Sequence, residues 1–271
     1  MLHMSNRILV VPDIHGRTFW KAPVKKYIDE VDRIVFLGDY LDPYRDEAEE
    51  YYPEDVYKNW MEIIELKRNN LEKVILLKGN HDEHYSSKRF SELAAGSRMD
   101  YQNWNKYNQT FNDNKDLFQL AHLETVNDMP YVFTHAGLTI YWINKVNSLL
   151  WWLVDGEISV ADPDIIERIN LLDTTKEGQE LLSVVGKYRS RFGEKSGSVL
   201  WADIEEHPFP NAPKVYGLNQ VFQVFGHTRL DKEKADKIVF DNLAMLDSQQ
   251  CFMIDKTSDK RIISLNEIEI L

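Results

Sequence analysis

Asp13 and His15 stand one residue apart at the end of an apolar run, in RILVVPDIHG. In an extended chain such residues share a face. A carboxylate beside an imidazole makes a small chelate for a divalent metal. A second apolar run, RIVFLGDYLD, ends in Asp39 and Asp42, and a third, KVILLKGNHD, in Asn80 and His81. Asp39 offers two oxygens, so one carboxylate can bridge two ions. Asn80 offers a neutral carbonyl oxygen, and His81 an imidazole able to donate a proton. VFTHAG and VFGHT end two further runs at His135 and His227. Each segment alone also has a plain reading. Gly, Asn and Asp are ordinary turn residues, and a lone histidine after a strand more often caps or packs than binds. Taken together, five strand ends carry metal-type or acid–base residues, and the carboxyl ends of strands are where open α/β sheets bind ligands.

The elements that must position these residues are legible as patterns. RILVVPDI, RIVFLGD and KVILLKGN read as buried strands. Residues 18–30 read as helical despite Pro23. PEDVYKNWMEIIELKRN has Pro53 at its start, acids in its first turn and bases near its end, which is a helix signature. Strands spaced by helices imply crossover connections and a largely parallel sheet. LFQLAHLETV and MPYVFTHAGL read as two more strands, and VFQVFGHT as another. The pattern from about 139 to 195 is helical. Short strands follow to the end, and CFMIDK and RIISLN form a hairpin through TSD. With no repeat and no linker, the simplest organisation is a single α/β domain over 1–271 with a helical insertion at about 139–195.

Composition narrows the function. The chain has 271 residues, 43% of them hydrophobic, and its 12% aromatic share argues against disorder. A net charge of -12 argues against general nucleic-acid binding, which phosphate neutralisation drives. A small phosphorylated substrate is compatible with that charge if the site itself is cationic, as a metal centre is. One cysteine, Cys251, allows no internal disulfide and fits a reducing compartment. The start, MLHMSNRILVV, lacks the apolar core of a signal peptide, and YWINKVNSLLWWLVDGE is too short and interrupted to span a bilayer. The expectation is a cytoplasmic protein with no membrane partner.

The set DIH (13–15), GDYLD (38–42), GNHD (79–82), HAG (135–137) and GHT (226–228), in this order, resembles the calcineurin-like metallophosphoesterase superfamily. It is closest in detail to the phosphoprotein-phosphatase and diadenosine-tetraphosphatase branch. SVLWADIEEHP resembles that branch's Leu-Trp segment. The resemblance implies an α/β fold of two mixed sheets packed as a sandwich and flanked by helices. It implies two divalent ions, of manganese, iron or zinc. Asp13, His15 and Asp39 would hold the first. Asp39 would bridge to the second, completed by Asn80, His135 and His227. His81 would give the leaving group its proton, with Asp42 hydrogen-bonded behind it.

Two departures stand out. Many diesterase relatives carry Gly-His-x-His, and Arg229 replaces the second histidine, which favours the phosphatase side. Phosphatase relatives place a phosphate-gripping arginine directly after the second Asp, where this chain has Pro43. Arg45, Arg189, Arg191 and Arg229 are the candidates to replace it. The implied function is hydrolysis of a phosphomonoester, on a phosphoprotein or a small metabolite. The alternatives are a dinucleoside polyphosphate or nucleic-acid phosphodiester hydrolase and, against the intact ligand set, a non-catalytic scaffold. His84, His122 and His207 lie outside the motifs and read as surface or structural residues. Tyr44, Tyr51, Tyr52 and Tyr57 could stack on an aromatic group, Tyr57 reading rather as core.

Overall fold

In the computed structural model, β1 (Arg7–Val11) buries four of its five residues, as its unbroken run of branched side chains requires. β2 (Arg33–Phe36) and β3 (Val74–Leu77) are of the same kind. Between them lie α1 (Lys21–Tyr27) and α2 (Pro53–Asn69). Pro23 is tolerated because it falls in the first turn of α1, where no intrahelical N–H is lost. α2 has Pro53 at its start, Glu54 and Asp55 in its first turn, and Lys67 and Arg68 in its last. After β3 come α3 (Asn80–Ser86), α4 (Lys88–Leu93), α5 (Trp104–Asp113) and the short β4 (Phe118–Gln119). The structure describes residues 5–44, 52–86, 88–93, 98–151, 163–207, 221–230 and 237–268.

The second half begins with a hairpin, β5 (Ala121–Val126) and β6 (Met129–Thr134). Its two-residue turn, Asn127–Asp128, has φ of 50° and 59°, the left-handed pair that matches strand twist. α6 (Ile140–Trp151), α7 (Pro163–Leu171) and α8 (Lys176–Leu182) follow. Then come β7 (Phe222–Phe225), β8 (Ile238–Phe240), β9 (Leu243–Met245), β10 (Phe252–Asp255), β11 (Ile263–Ser264) and α9 (Leu265–Ile268).

The strands form two mixed sheets with flanking helices. One has the order β11-β10-β1-β2-β3-β4, with β1, β2, β3 and β4 parallel and β10 and β11 antiparallel. The other has the order β5-β6-β7-β9-β8, with β6, β7 and β9 parallel. Each sheet belongs to its own compact unit: residues 7–119 with 249–271, and residues 1–6 with 120–248. In the first unit, Leu9, Val11, Ile34, Phe36, Val74 and Leu76 pack against Trp20, Val24, Trp60, Ile63 and Phe111 from the helices. That core fixes the carboxyl ends of β1, β2 and β3 side by side.

One expected strand is divided. LFQLAHLETV gives β4 in the first sheet and β5 in the second, with the break at Leu120. The N–H groups of Leu120 and Ala121 both donate to the Asn170 side-chain oxygen, at 2.8 and 2.9 Å. That side chain satisfies the backbone where the ladder is interrupted. Among the described residues no helix is long and apolar enough to cross a membrane.

Candidate active site

The register of the first sheet decides which side chains meet. Val11 pairs with Phe36, and Phe36 with Leu76, so the segments after β1, β2 and β3 emerge at one edge. The segment after β1 is fastened to that after β2: the N–H groups of Ile14 and His15 donate to Asp39 O, at 3.1 and 2.7 Å. The Asp82 carboxylate ties β2's end to β3's. It accepts from the N–H groups of Asp39 and Gly79 at 2.8 Å each, and of Tyr40 at 2.9 Å. Burial and the nearby Asp39 charge push the Asp82 carboxyl up, against those donors. Asp82 carried no role in the sequence reading, because its work is done on backbone atoms from two loops.

Asp13, His15 and Asp39 converge. All three are buried, and their ligand-type atoms lie within 4.8 Å of one another. His15 Nδ1 is 3.0 Å from Leu41 O. A carbonyl only accepts, so Nδ1 carries the hydrogen and Nε2 is left bare, 3.4 Å from Asp39 Oδ2. Burial drives the imidazole well below its usual pKa, with Asp39 pulling the other way. A neutral imidazole beside two carboxylates is a fitting donor set for a divalent transition metal. Asn80 opens α3, and the N–H of the next residue, His81, donates to Asp39 Oδ1 at 2.9 Å.

His81 and Asp42 form a dyad. His81 Nδ1 is 2.8 Å from Asp42 Oδ2. His84 Nδ1 lies 3.8 Å from the same oxygen, and the Tyr85 hydroxyl donates a short bond to Asp42 Oδ1. Burial pushes the Asp42 carboxyl up, but the hydrogen bonds from His81 and Tyr85, with the His84 ring close by, outweigh it and hold it well below the carboxylate range. Asp42 therefore stays charged and orients the ring. Sequence reasoning set His84 aside; its burial behind Asp42 is a consequence of α3 starting at Asn80.

The second unit holds the remaining pair. β6 and β7 are parallel neighbours, and Gly226 N donates to His135 O at 2.8 Å. His135 Nε2 and His227 Nδ1 are 3.1 Å apart. Two basic nitrogens at that distance share a proton or converge on a cation. The Leu-Trp segment packs here: Ala136 N donates to Val199 O at 2.9 Å, and the Trp201 ring meets His227 edge-on. His207 stacks on Phe225 and lies 3.0 Å from Ala136 O. Burial pushes its imidazole down to about 4, so it acts as a neutral brace for the His135 loop.

The backbone marks the same places. Among the described residues, seven that are not glycine have positive φ, and four of them are His15, Asp39, Asp42 and His227. Such outliers cost energy and gather at functional sites. The arginine candidates are placed differently. Arg189 donates to Thr228 Oγ1 and His227 O and pairs with Asp203 at 2.9 Å. Arg191 is exposed over Phe192, Arg229 is exposed, and Arg45 lies outside the described residues. Tyr51 also lies outside them. Tyr57 stacks on Tyr107, as a core residue does.

A family model for calcineurin-like phosphoesterases matches residues 6–240. No curated relative matches the chain. Among solved structures, a protein serine/threonine phosphatase from Saccharomyces cerevisiae, described as similar to human phosphatase PP5, is 16% identical, with 97% of this chain and 82% of that one covered and a TM-score of 0.50. A cold-active protein-tyrosine phosphatase from a psychrophilic Shewanella is 15% identical over 97% and 78%, with a TM-score of 0.49. At 16% identity the yeast likeness is one of fold. The family match runs through every motif from Asp13 to His227, and the chain belongs to the calcineurin-like phosphoesterase family.

Proposed function

We propose that this protein hydrolyses phosphomonoesters with two divalent ions. The observation that carries the reading is the meeting of the Asp13–His15–Asp39 cluster with the His81–Asp42 dyad in one unit. Asp13, His15 and Asp39 would hold one ion, and the His135–His227 nitrogen pair would serve the second. The nitrogen and oxygen donors suit manganese, iron or zinc. Bound ions of this kind lower the pKa of water and screen a phosphate's charge.

The chain's own residues handle the leaving group. With Nδ1–H directed at Asp42, His81 exchanges protons at Nε2. With Nδ1 so held, Nε2 is the ring atom from which a proton can pass to the departing alkoxide oxygen. His15 keeps its hydrogen on Nδ1, against Leu41 O, and so presents only a lone pair to the cluster. Arg229, standing where diesterase relatives have a histidine, supports the monoesterase reading, and so does the fold likeness to a phosphatase.

The test is direct. Strip the metals, restore manganese, and compare an alkyl monoester, a diester and a dinucleoside tetraphosphate. Metal-dependent turnover greatest on the monoester is expected. No turnover on any substrate would overturn the hydrolase, and preference for the tetraphosphate would move the substrate to the alternative class.

A further inference from the structure

Arg98 lies in no motif, seventeen residues beyond His81 in a polar stretch. The fold nonetheless brings it to the dyad. Its Nη2 is 3.0 Å from His81 Nε2. Its guanidinium carbon lies over the Tyr44 ring, 3.7 Å from the centroid. The Arg17 guanidinium is 5.0 Å from the same ring, and the ring meets His15 edge-on at 4.7 Å. Arg98 Nη1 is buried and has no hydrogen-bond partner among the described residues.

This is an unusual setting for a cation. Among the described residues Arg98 has one hydrogen bond, donated to His81 Nε2 in its bare form and given up when that nitrogen takes a proton, and no carboxylate partner. An arginine side chain has five N–H donors and accepts nothing. A partly buried guanidinium with a donor to spare favours an anion, and its planar fork matches two oxygens of a phosphate. The aromatic face beneath it fixes the plane and repays part of its desolvation. The sequence context agrees: Pro43 occupies the place where phosphatase relatives carry an arginine, and the next residue, Tyr44, holds one that comes from elsewhere in the chain.

We propose that Arg98, clamped on Tyr44, binds the non-bridging oxygens of the substrate phosphate beside His81. The assignment rests on the phosphoester reading above and supplies the phosphate-gripping cation that its motifs lack.

The experiment uses manganese-loaded protein and inorganic phosphate as the probe, titrated by calorimetry. Arg98→Gln keeps the length and much of the packing but removes the charge. It is expected to weaken phosphate binding by about 10–100-fold, the range for a charge-assisted hydrogen bond, with manganese content unchanged. Arg98→Lys should recover part of the loss. Phosphate affinity equal to wild type in Arg98→Gln, loss of manganese with it, or no phosphate binding by wild type would each overturn the assignment. Should Arg98→Gln fail to fold, Tyr44→Leu removes the platform and leaves the arginine. Several-fold weaker phosphate binding would support the clamp, and wild-type affinity would refute it. Wild-type turnover separates the two readings. No turnover but a loss of phosphate binding in Arg98→Gln keeps the arginine and discards the hydrolase; turnover with unchanged binding does the reverse.

Discussion

At the scale of the residue, protonation is set by what each side chain is pressed against. His81 has Asp42 on one nitrogen, so its removal should cost turnover and leave the metal ligands intact. His81→Ala is expected to lower kcat on an alkyl phosphate by roughly 10²–10⁴-fold, and far less on a nitrophenyl ester, whose leaving group needs no proton. Equal losses on both esters would refute the proton-donor role. His207 offers a pH test away from the metal ligands. Burial lowers its folded pKa to about 4, against 6.5 for the free group. A depressed folded value means the contribution is full above pH 6.5 and is lost as pH falls toward 4. At most ~3 kcal/mol is involved, at 1.36 kcal/mol per pH unit. His207→Gln should show a shallower fall of stability from about pH 7 to pH 4, measured by urea unfolding at each pH; parallel curves would refute the linkage. Residues such as Asp13, His15 and Asp39 were legible because their types and strand-end positions carry the chemistry. Asp82 and Arg98 were not, since the one works on backbone atoms and the other reaches its place only through the fold.

At the scale of the element, the site depends on how closely two strand ends approach. A Cβ on Gly79 would stand 2.0 Å from Asp39 Oδ1 and 2.5 Å from Asp39 N. Gly38 has φ of 106° and would carry a Cβ 2.5 Å from Gly79 N. The first gap cannot open without moving Asp39, nor the second without moving the Gly79 backbone. Gly79→Ala is therefore expected to cost about 2 kcal/mol or more and to release metal. Urea unfolding and metal analysis check the two parts, and wild-type values for both would contradict the close approach. The glycines, strands and α2 were readable from local pattern. The division of LFQLAHLETV was not: its apolar periodicity runs on without a mark, and the break is satisfied by Asn170, fifty residues away. RIISLN likewise passes from β11 into α9 within a run that reads as one strand.

At the scale of the molecule, a chain of net charge -12 works on anions. The overall field opposes an anionic substrate's approach, and salt weakens that field over a Debye length of about 10 Å at 0.1 M. Raising salt from about 10 to 150 mM should raise kcat/KM for an anionic alkyl phosphate relative to a phosphate ester bearing a quaternary ammonium. A ratio that does not move would mean that the local cations govern encounter. The left-handed backbone at Asp39 and Asp42 bears on the history of such a fold. Glycine, asparagine and aspartate are the residues that accept this conformation at least cost. A single nucleotide change turns an aspartate codon into one for asparagine or glycine. The mutations most accessible at these two positions thus spare the backbone while removing the charge. Lineages of this architecture can shed their chemistry and still fold, so descent alone is a poor guide to which members turn over substrate.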